Sequence, residues 1–144
     1  MDISQGFQIE SPQIFVSWGI TENQLKTLFE NHVLHHVTKG YYTTSCISLE
    51  GLIHELGFHF EPRVGGGLVE LEFFRKSYPN LEHSYQEFQQ HFELLFGQPT
   101  KTQPGSEGFP IQQWWLKDVS IIHCIFDRFG PEEHMKIRKS PTVV

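Results

Sequence analysis

Nine histidines are the first candidates for chemistry in this chain of 144 residues. A metal site needs several ligands that converge, yet the sequence holds neither a His-x-His nor a His-Glu-x-x-His motif. His35 and His36 are adjacent, and the separation of His54 from His59 is odd, so the two side chains of each pair point apart on a strand. The spacing therefore predicts no metal site and no cofactor.

The two cysteines, Cys46 and Cys124, are the candidate nucleophiles. Cys124 follows His123, but neighbouring side chains on a strand diverge, and no G-x-S-x-G motif offers a serine instead. No Cys-x-x-Cys pair indicates a zinc ribbon or a thioredoxin-type site. We interpret both cysteines as small buried side chains and assign no catalytic residue.

Acidic side chains form the most informative candidate site. Glu70 and Glu72 share one face of a predicted strand, with Cα atoms about 7 Å apart. Glu55, His59 and Glu61 point the same way from the strand before it. Three interpretations remain open: a solvated outer face, an acidic patch that binds a protein, or a general acid–base site.

Four residues of a later predicted hairpin border this patch. Trp114 and Trp115 must point to opposite faces of a strand, so one ring should lie in the core and the other outside it. His123 and Asp127 share a face of the following strand. An aromatic ring beside charged groups is typical of protein-binding hot spots, so these four residues join the candidate partner-binding set. The segment 127–130 predicts either an ion pair at a turn or a contact loop.

Alternation of apolar and polar residues predicts the strands that position these groups. Residues 41–75 are predicted to form a three-stranded antiparallel meander, with the glycine run 65–67 in its last turn. A helix over 48–56 is the alternative for part of that segment. Further strands are predicted over 13–18, 111–116 and 119–128, and the last two of these form a hairpin.

Capping signals predict the helices. Thr21 and Gln24 form one capping box, before a helix that ends near 31–33, and Ser84 and Glu87 form a second. Gly97 should close the second helix. Acidic residues followed by basic ones predict a short terminal helix over 132–139.

The predicted order is β-α-βββ-α-ββ, an imperfect repeat of a capped helix and an antiparallel meander. We therefore expect an α+β fold with an antiparallel sheet of about five to six strands, two main helices packed on one face, and the other face partly open. Residues 1–144 should form a single domain. We expect 1–11 and 140–144 to be loose and 100–110 to be a polar loop.

Composition limits the class of partner. The formal net charge of −6 disfavours nucleic acid and suits a basic protein. No apolar run approaches the roughly 20 residues of a membrane span. The N-terminal residues lack the basic start and apolar core of a signal peptide, so we expect a cytoplasmic protein and no membrane partner.

Three segments carry a family resemblance: SWGITENQLKTLF, LGFHFEPRVGGGLVELEF, and SYQEFQQHFELLFGQPT followed by a Trp-containing hairpin. Together they resemble two-repeat α+β proteins of the β-lactamase-inhibitor-protein-like type and related small bacterial immunity proteins. The resemblance spans roughly residues 14–128, and its motifs are helix caps, turns and core aromatics. It implies a binding or inhibitor module whose contact surface is the open sheet face.

The sequence thus predicts a non-enzymatic bacterial immunity or inhibitor protein, monomeric or weakly dimeric. Its acidic sheet face would occlude a partner such as a basic toxin domain. The alternative is a small-ligand-binding domain or small enzyme with His123 or His54 in a pocket between helix and sheet. A structural subunit that dimerises through its sheet is a third possibility.

Overall fold

The computed structural model describes residues 1–63, 66–127 and 130–140. The fold is α+β, as predicted, with two α-helices, a short 3₁₀ turn at Ser106–Gly108 and ten strands in the described residues. The elements in chain order are β1 (Gly6–Ile9), β2 (Ile14–Ser17), α1 (Glu22–Leu28), β3 (His35–Thr38), β4 (Tyr41–Ser48), β5 (Leu52–Phe60), β6 (Leu68–Phe74), α2 (Leu81–Phe96), β7 (Lys101–Gln103), β8 (Ile111–Leu116), β9 (Val119–Asp127) and β10 (Pro131–Lys139).

One antiparallel sheet of eight strands dominates the fold, in the order β3-β4-β5-β6-β10-β9-β8-β7. It consists of two four-stranded meanders, each preceded by a helix, and the meanders are joined where β6 pairs with β10. The strands β1 and β2 form a separate two-stranded sheet. The expected count of five to six strands is therefore wrong, and so is the order β-α-βββ-α-ββ.

The hydrophobic core lies on one side of the large sheet. Phe29 after α1 meets Phe58 of β5 with ring centroids 5.7 Å apart. Phe92 of α2 meets Trp114 of β8 at 5.8 Å, and Phe7 of β1 meets Phe73 of β6 at 5.3 Å. Both helices and the β1–β2 hairpin thus cover the same face, which we call the inner face.

The predicted helix over 132–139 is the largest error, because this segment is strand β10 in the centre of the sheet. Glu133, Met135 and Ile137 are buried, whereas their neighbours are half-buried or exposed. This period of two matches a strand with one buried face. The acidic-to-basic charge gradient that suggested a helix is worth at most about 1 kcal/mol at a surface, less than burial of this apolar stripe provides.

Three segments for which no strand was predicted contain one, and two of them, 1–11 and 100–110, were expected to be irregular. The lead-in 1–11 includes β1, whose Phe7 and Ile9 are fully buried. The turn segment 34–40 includes the exposed edge strand β3, and the loop 100–110 includes β7 at the opposite edge of the sheet. The two edge strands β3 and β7 lack an apolar alternation of their own, so their pairing depends on the neighbouring strand.

The N-cap was predicted correctly for one helix of the two. The Thr21 hydroxyl oxygen accepts a hydrogen bond from the Gln24 backbone N–H at 3.1 Å, and the Thr21 backbone N–H donates to the Gln24 side chain at 2.8 Å, as expected. The helix α1 ends at Leu28, earlier than the predicted 31–33. The N-cap of α2 is Asn80 rather than Ser84, which lies within the helix. Gly97 closes α2 with a φ of 78°.

The prediction of a strand over 52–60, rather than a helix over 48–56, is confirmed by β5. The hairpin of β8 and β9 is confirmed too, with Trp115 paired to Ser120. Gly65, residues 128–129 and residues 141–144 lie outside the described part of the chain, so the expectations made for them stay predictions.

Candidate protein-binding face

The sheet face opposite the helices, which we call the outer face, gathers the charged and aromatic candidates. Strand register defines its membership, and every member except Gly57 is half-buried or exposed. Its central residues, in the order of the strands from β4 to β8, are Tyr41, Ser45, Glu55, Gly57, His59, Glu70, Glu72, Phe74, Lys136, Arg138, Ser120, Ile122, Cys124, Phe126 and Trp115.

The acidic residues of β5 and β6 lie on the same side of the sheet, as the alternation of the sequence predicted. His59 of β5 pairs with Glu70 of β6, and its Nε2 lies 3.8 Å from the Oε1 of Glu72. Glu55 lies on the same face and accepts hydrogen bonds from Ser45 Oγ at 2.8 and 2.7 Å. The His59 ring beside it is the main cause that lowers the pKa of the Glu72 carboxyl, and the hydrogen bond from the Tyr41 hydroxyl acts in the same direction, so this group stays negatively charged.

Tyr41 is a member that the sequence analysis missed. Its ring stacks on His59 with centroids 4.3 Å apart, and its hydroxyl donates to Glu72 at 2.9 Å. The ring reaches Glu72 by crossing Gly57, where a Cβ atom would lie 2.9 Å from the ring. A glycine inside an otherwise regular strand is a signal for such a close approach, and it could have identified Tyr41.

Basic side chains stand directly beside the acidic ones because β10 belongs to the sheet. Lys136 is paired with Glu72 and Arg138 with Glu70, and the Arg138 Nη1 lies 3.4 Å from the Glu70 Oε1. Neither base was predicted to lie on this face, because the segment 132–139 was predicted to be a helix. The outer face therefore carries an acidic half on β5–β6 and a basic column on β10, rather than a uniformly acidic surface.

An apolar part follows the basic column on β9 and β8. Trp115 is 54% exposed and Phe126 is 48% exposed, with Ile122 and Cys124 half-buried between them. Large aromatic rings at this level of exposure on one sheet face are a feature of binding surfaces.

Four of the nine predicted residues lie elsewhere. Trp114 is fully buried and donates its indole N–H to the Gly97 carbonyl at 2.9 Å. His123 is also fully buried, on the inner face. Glu61 follows the end of β5 and pairs with Arg63 at 3.3 Å, and Asp127 is the exposed last residue of β9. Burial removes Trp114 and His123 from any surface that a partner can reach.

His123 instead belongs to a buried polar network. Its ring nitrogens lie 2.8 Å from Gln89 Oε1 and 2.5 Å from Glu133 Oε2, and its ring stacks on Tyr85. Ser84 Oγ donates to the other oxygen of Glu133 at 2.6 Å. Burial lowers the pKa of His123. The serine contacts the carboxylate and not the imidazole, so the imidazole is not placed to activate its hydroxyl, and the arrangement does not form a Ser-His-acid triad.

His54 forms a second buried cluster, with Cys46 and Ser48. Its Nε2 lies 2.5 Å from Ser48 Oγ and 3.8 Å from Cys46 Sγ, while its Nδ1 lies 2.9 Å from the Glu55 carbonyl. Burial lowers the pKa of His54 to about 4 and raises that of the Cys46 thiol to about 12. Both groups are therefore neutral near pH 7, and Cys46 lacks the thiolate that nucleophilic catalysis needs.

A cavity of about 560 Å³ lies between β5, the β6–α2 connection and the first turn of α2. We call it the α2 cavity. Its six ionisable lining residues are His54, Glu55, Arg75, Lys76, Tyr78 and His83. Its volume falls within the range of small-molecule sites, about 300–1,000 Å³.

In the described ranges 1–63, 66–127 and 130–140, no group of three or more His, Cys, Asp or Glu side chains is arranged to hold a metal ion. Within the same residues, neither helix has the length and apolar character needed to cross a membrane. A scan against protein-family models, a search of curated proteins and a search of solved structures each returned no match. The resemblance to β-lactamase-inhibitor-protein-like repeats therefore stays a prediction.

Proposed function

We propose that this chain is a non-enzymatic protein-binding module of the bacterial immunity or inhibitor type, which occludes a protein partner with its outer face. The observation that carries the proposal is Trp115, a half-exposed aromatic residue on a sheet face whose helices all lie on the opposite side. An exposed aromatic anchor beside charged side chains is what a protein-binding surface presents.

The outer face is large enough for a standard protein interface. The six inner strands of the sheet lie about 4.8 Å apart, are about 27 Å long and together cover about 800 Å². They are β4, β5, β6, β10, β9 and β8. Stable interfaces bury about 800 Å² per partner. The face can therefore hold a partner without a contribution from the helices.

The charges of the outer face favour a partner that is basic where it meets β5 and β6. Glu55, Glu70 and Glu72 lie there, and the lowered pKa of Glu72 keeps its negative charge at mildly acidic pH. The net charge of −6 adds long-range attraction for a basic protein. Lys136 and Arg138 reduce that attraction near β10, so steering should act mainly on the β5–β6 side.

The experiment is capture of a partner from a lysate of the source organism, followed by association kinetics at several salt concentrations. Glu70→Lys with Glu72→Lys should slow association about tenfold at low salt and flatten its salt dependence. The matched control is Glu30→Lys with Glu82→Lys, which changes net charge equally at exposed positions outside the sheet. Equal association rates for the two double variants would remove the outer face as the steering surface.

The α2 cavity favours a second candidate function, the binding of a small ligand, or a small enzyme with a histidine in its pocket. Six ionisable side chains, including His54 and His83, line a cavity of suitable volume. A thermal-shift screen of small organic acids, amines and neutral compounds tests it. A ligand that stabilises the native chain, but not a Lys76→Ala/His83→Ala variant, would support this function; a screen without a stabilising compound would count against it.

A further inference from the structure

We propose that the outer face also binds a second copy of this chain, in a face-to-face dimer whose twofold axis runs parallel to β6 and β10, between the two sheets. The inference goes beyond the proposed function, because it concerns the state of the chain before any other partner binds.

Strand register makes the centre of the outer face self-complementary. Glu70 pairs with Arg138 and Glu72 with Lys136 across the line where the two meanders join. A half-turn about an axis along that line exchanges β6 with β10 while each residue keeps its height along the strands. Each glutamate of one copy then faces a basic residue of the other, so two alternating groups of four charges form at the interface.

The same half-turn also brings aromatic residues of the two copies together, farther from the axis than the charged residues. Along one row across the strands, register places Tyr41 beside His59, then Glu70 and Arg138, and then Ser120 beside Trp115. Tyr41 and Trp115 thus lie at equal numbers of strands from the joining line, on opposite sides of it. The half-turn places the exposed Trp115 of one copy over the Tyr41–His59 stack of the other.

The area of contact between the two copies sets the expected affinity of the dimer. The four central strands β5, β6, β10 and β9 give a lower bound on the contact area, to which the Trp115 ring of β8 and the Tyr41 ring of β4 add. Four strands cover about 500 Å² per copy. The total of about 1,000 Å² lies at the lower end of specific interfaces, which suits a dimer that dissociates at micromolar concentrations.

A heterologous partner that uses the outer face must displace the second copy. Self-association would then cover Trp115 when no partner is present. A partner would have to bind the outer face more tightly than the second copy does. The two proposals nevertheless fail separately, because one concerns the chain alone and the other requires a second protein.

The test is sedimentation velocity of the full chain from about 1 μM to about 1 mM. We expect a monomer–dimer equilibrium in the wild type. Glu70→Arg or Arg138→Glu alone places like charges opposite each other and should raise the dissociation constant at least tenfold. The double variant Glu70→Arg/Arg138→Glu restores complementarity within and between copies, so its dissociation constant should return to within about threefold of the wild-type value.

An apolar pair of variants completes the test. Trp115→Ala should weaken the dimer about tenfold or more. Leu94→Ala, at a 70% exposed position of α2 on the opposite side of the sheet, should leave it unchanged. Circular dichroism and urea unfolding of each variant establish that the chain is folded.

A wild-type chain that stays monomeric up to about 1 mM would overturn the dimer. So would a dimer that tolerates both single charge reversals, or one that Leu94→Ala weakens as much as Trp115→Ala does. A monomeric chain that still captures a partner through Trp115 would leave the proposed function standing. A charge-dependent dimer that captures no partner would support the dimer and count against that function.

Discussion

Replacing Glu133 by alanine tests the buried network and, with it, the position of β10 in the sheet. The carboxylate contacts His123 Nε2 at 2.5 Å and accepts from Ser84 Oγ at 2.6 Å, and the residue is 5% exposed. Its removal takes one hydrogen-bond partner from each of two buried groups, because His123 keeps only Gln89 and Ser84 keeps only Arg75. Removing one partner from a buried polar group costs about 1–3 kcal/mol, so the loss at both groups amounts to about 2–6 kcal/mol, a large share of the roughly 5–15 kcal/mol by which native proteins are stable.

Glu132→Ala is the matched control, because it removes the same side chain one position earlier on the same strand. Glu132 points to the outer face, with its side chain 55% exposed beside His134. An exposed pair of this kind contributes at most about 1 kcal/mol. Urea unfolding should therefore separate the two variants by about 3 kcal/mol, and the melting temperature of Glu133→Ala should fall by roughly 6–20 °C.

Equal and small effects of the two substitutions would refute this reasoning. That result would match a surface helix over 132–139, in which both glutamates are solvated. A loss for Glu132→Ala as large as that for Glu133→Ala would show that strand parity does not govern the segment.

Three further predictions follow from other residues. The pKa of His54 is lowered to about 4 from a reference of 6.5, so the unfolded chain binds more protons than the folded chain between these pH values. The free energy of unfolding should therefore fall by about 3 kcal/mol from pH 6.5 to pH 4, and His54→Gln should remove this part of the pH dependence. The same pH dependence in the variant and the wild type would contradict the effect of burial. Gly57→Ala should cost about 1–3 kcal/mol in urea unfolding, because its Cβ would lie 2.9 Å from the Tyr41 ring, and a neutral result would show that the ring does not cross the strand there. Iodoacetamide should alkylate the half-buried Cys124 of the native protein before Cys46, which is buried and has a pKa raised to about 12; equal rates would argue against this difference in exposure.

Local patterns predicted the elements whose signals lie within one segment. Strict alternation over 52–60 gave β5 its bounds, and Thr21 with Gln24 gave the start of α1. The same alternation placed Glu55, His59, Glu70 and Glu72 on one face, because side-chain parity depends only on the strand itself.

The position of β10 depends on residues far away in sequence. Its centre reads Glu-Glu-His-Met-Lys-Ile-Arg, in which a buried glutamate and a short apolar stripe are hidden among charges. Pairing with β6 and β9, together with hydrogen bonds from His123 and Ser84, makes burial of Glu133 possible. A local charge gradient says nothing about these partners, and the basic column of the outer face was missed for that reason.

The inner and outer faces of β9 were ambiguous for a different reason. Both parities carry apolar residues, since Ile121 and Ile125 face the core while Ile122 and Phe126 lie on the outer face. Sequence alone therefore could not decide whether His123 was exposed. The polar partners that burial requires, Gln89 and Glu133, are 34 and 10 residues away.

The outer face as a protein-binding surface is the central claim, and one comparison tests it most directly. Wild-type chain, Trp115→Ala and the control Leu94→Ala are immobilised in equal amounts and exposed to the same lysate of the source organism, and captured proteins are quantified by mass spectrometry. We predict a stoichiometric partner that wild type and Leu94→Ala retain and that Trp115→Ala loses. A partner held equally by all three chains, or no partner on any of them, would contradict the claim.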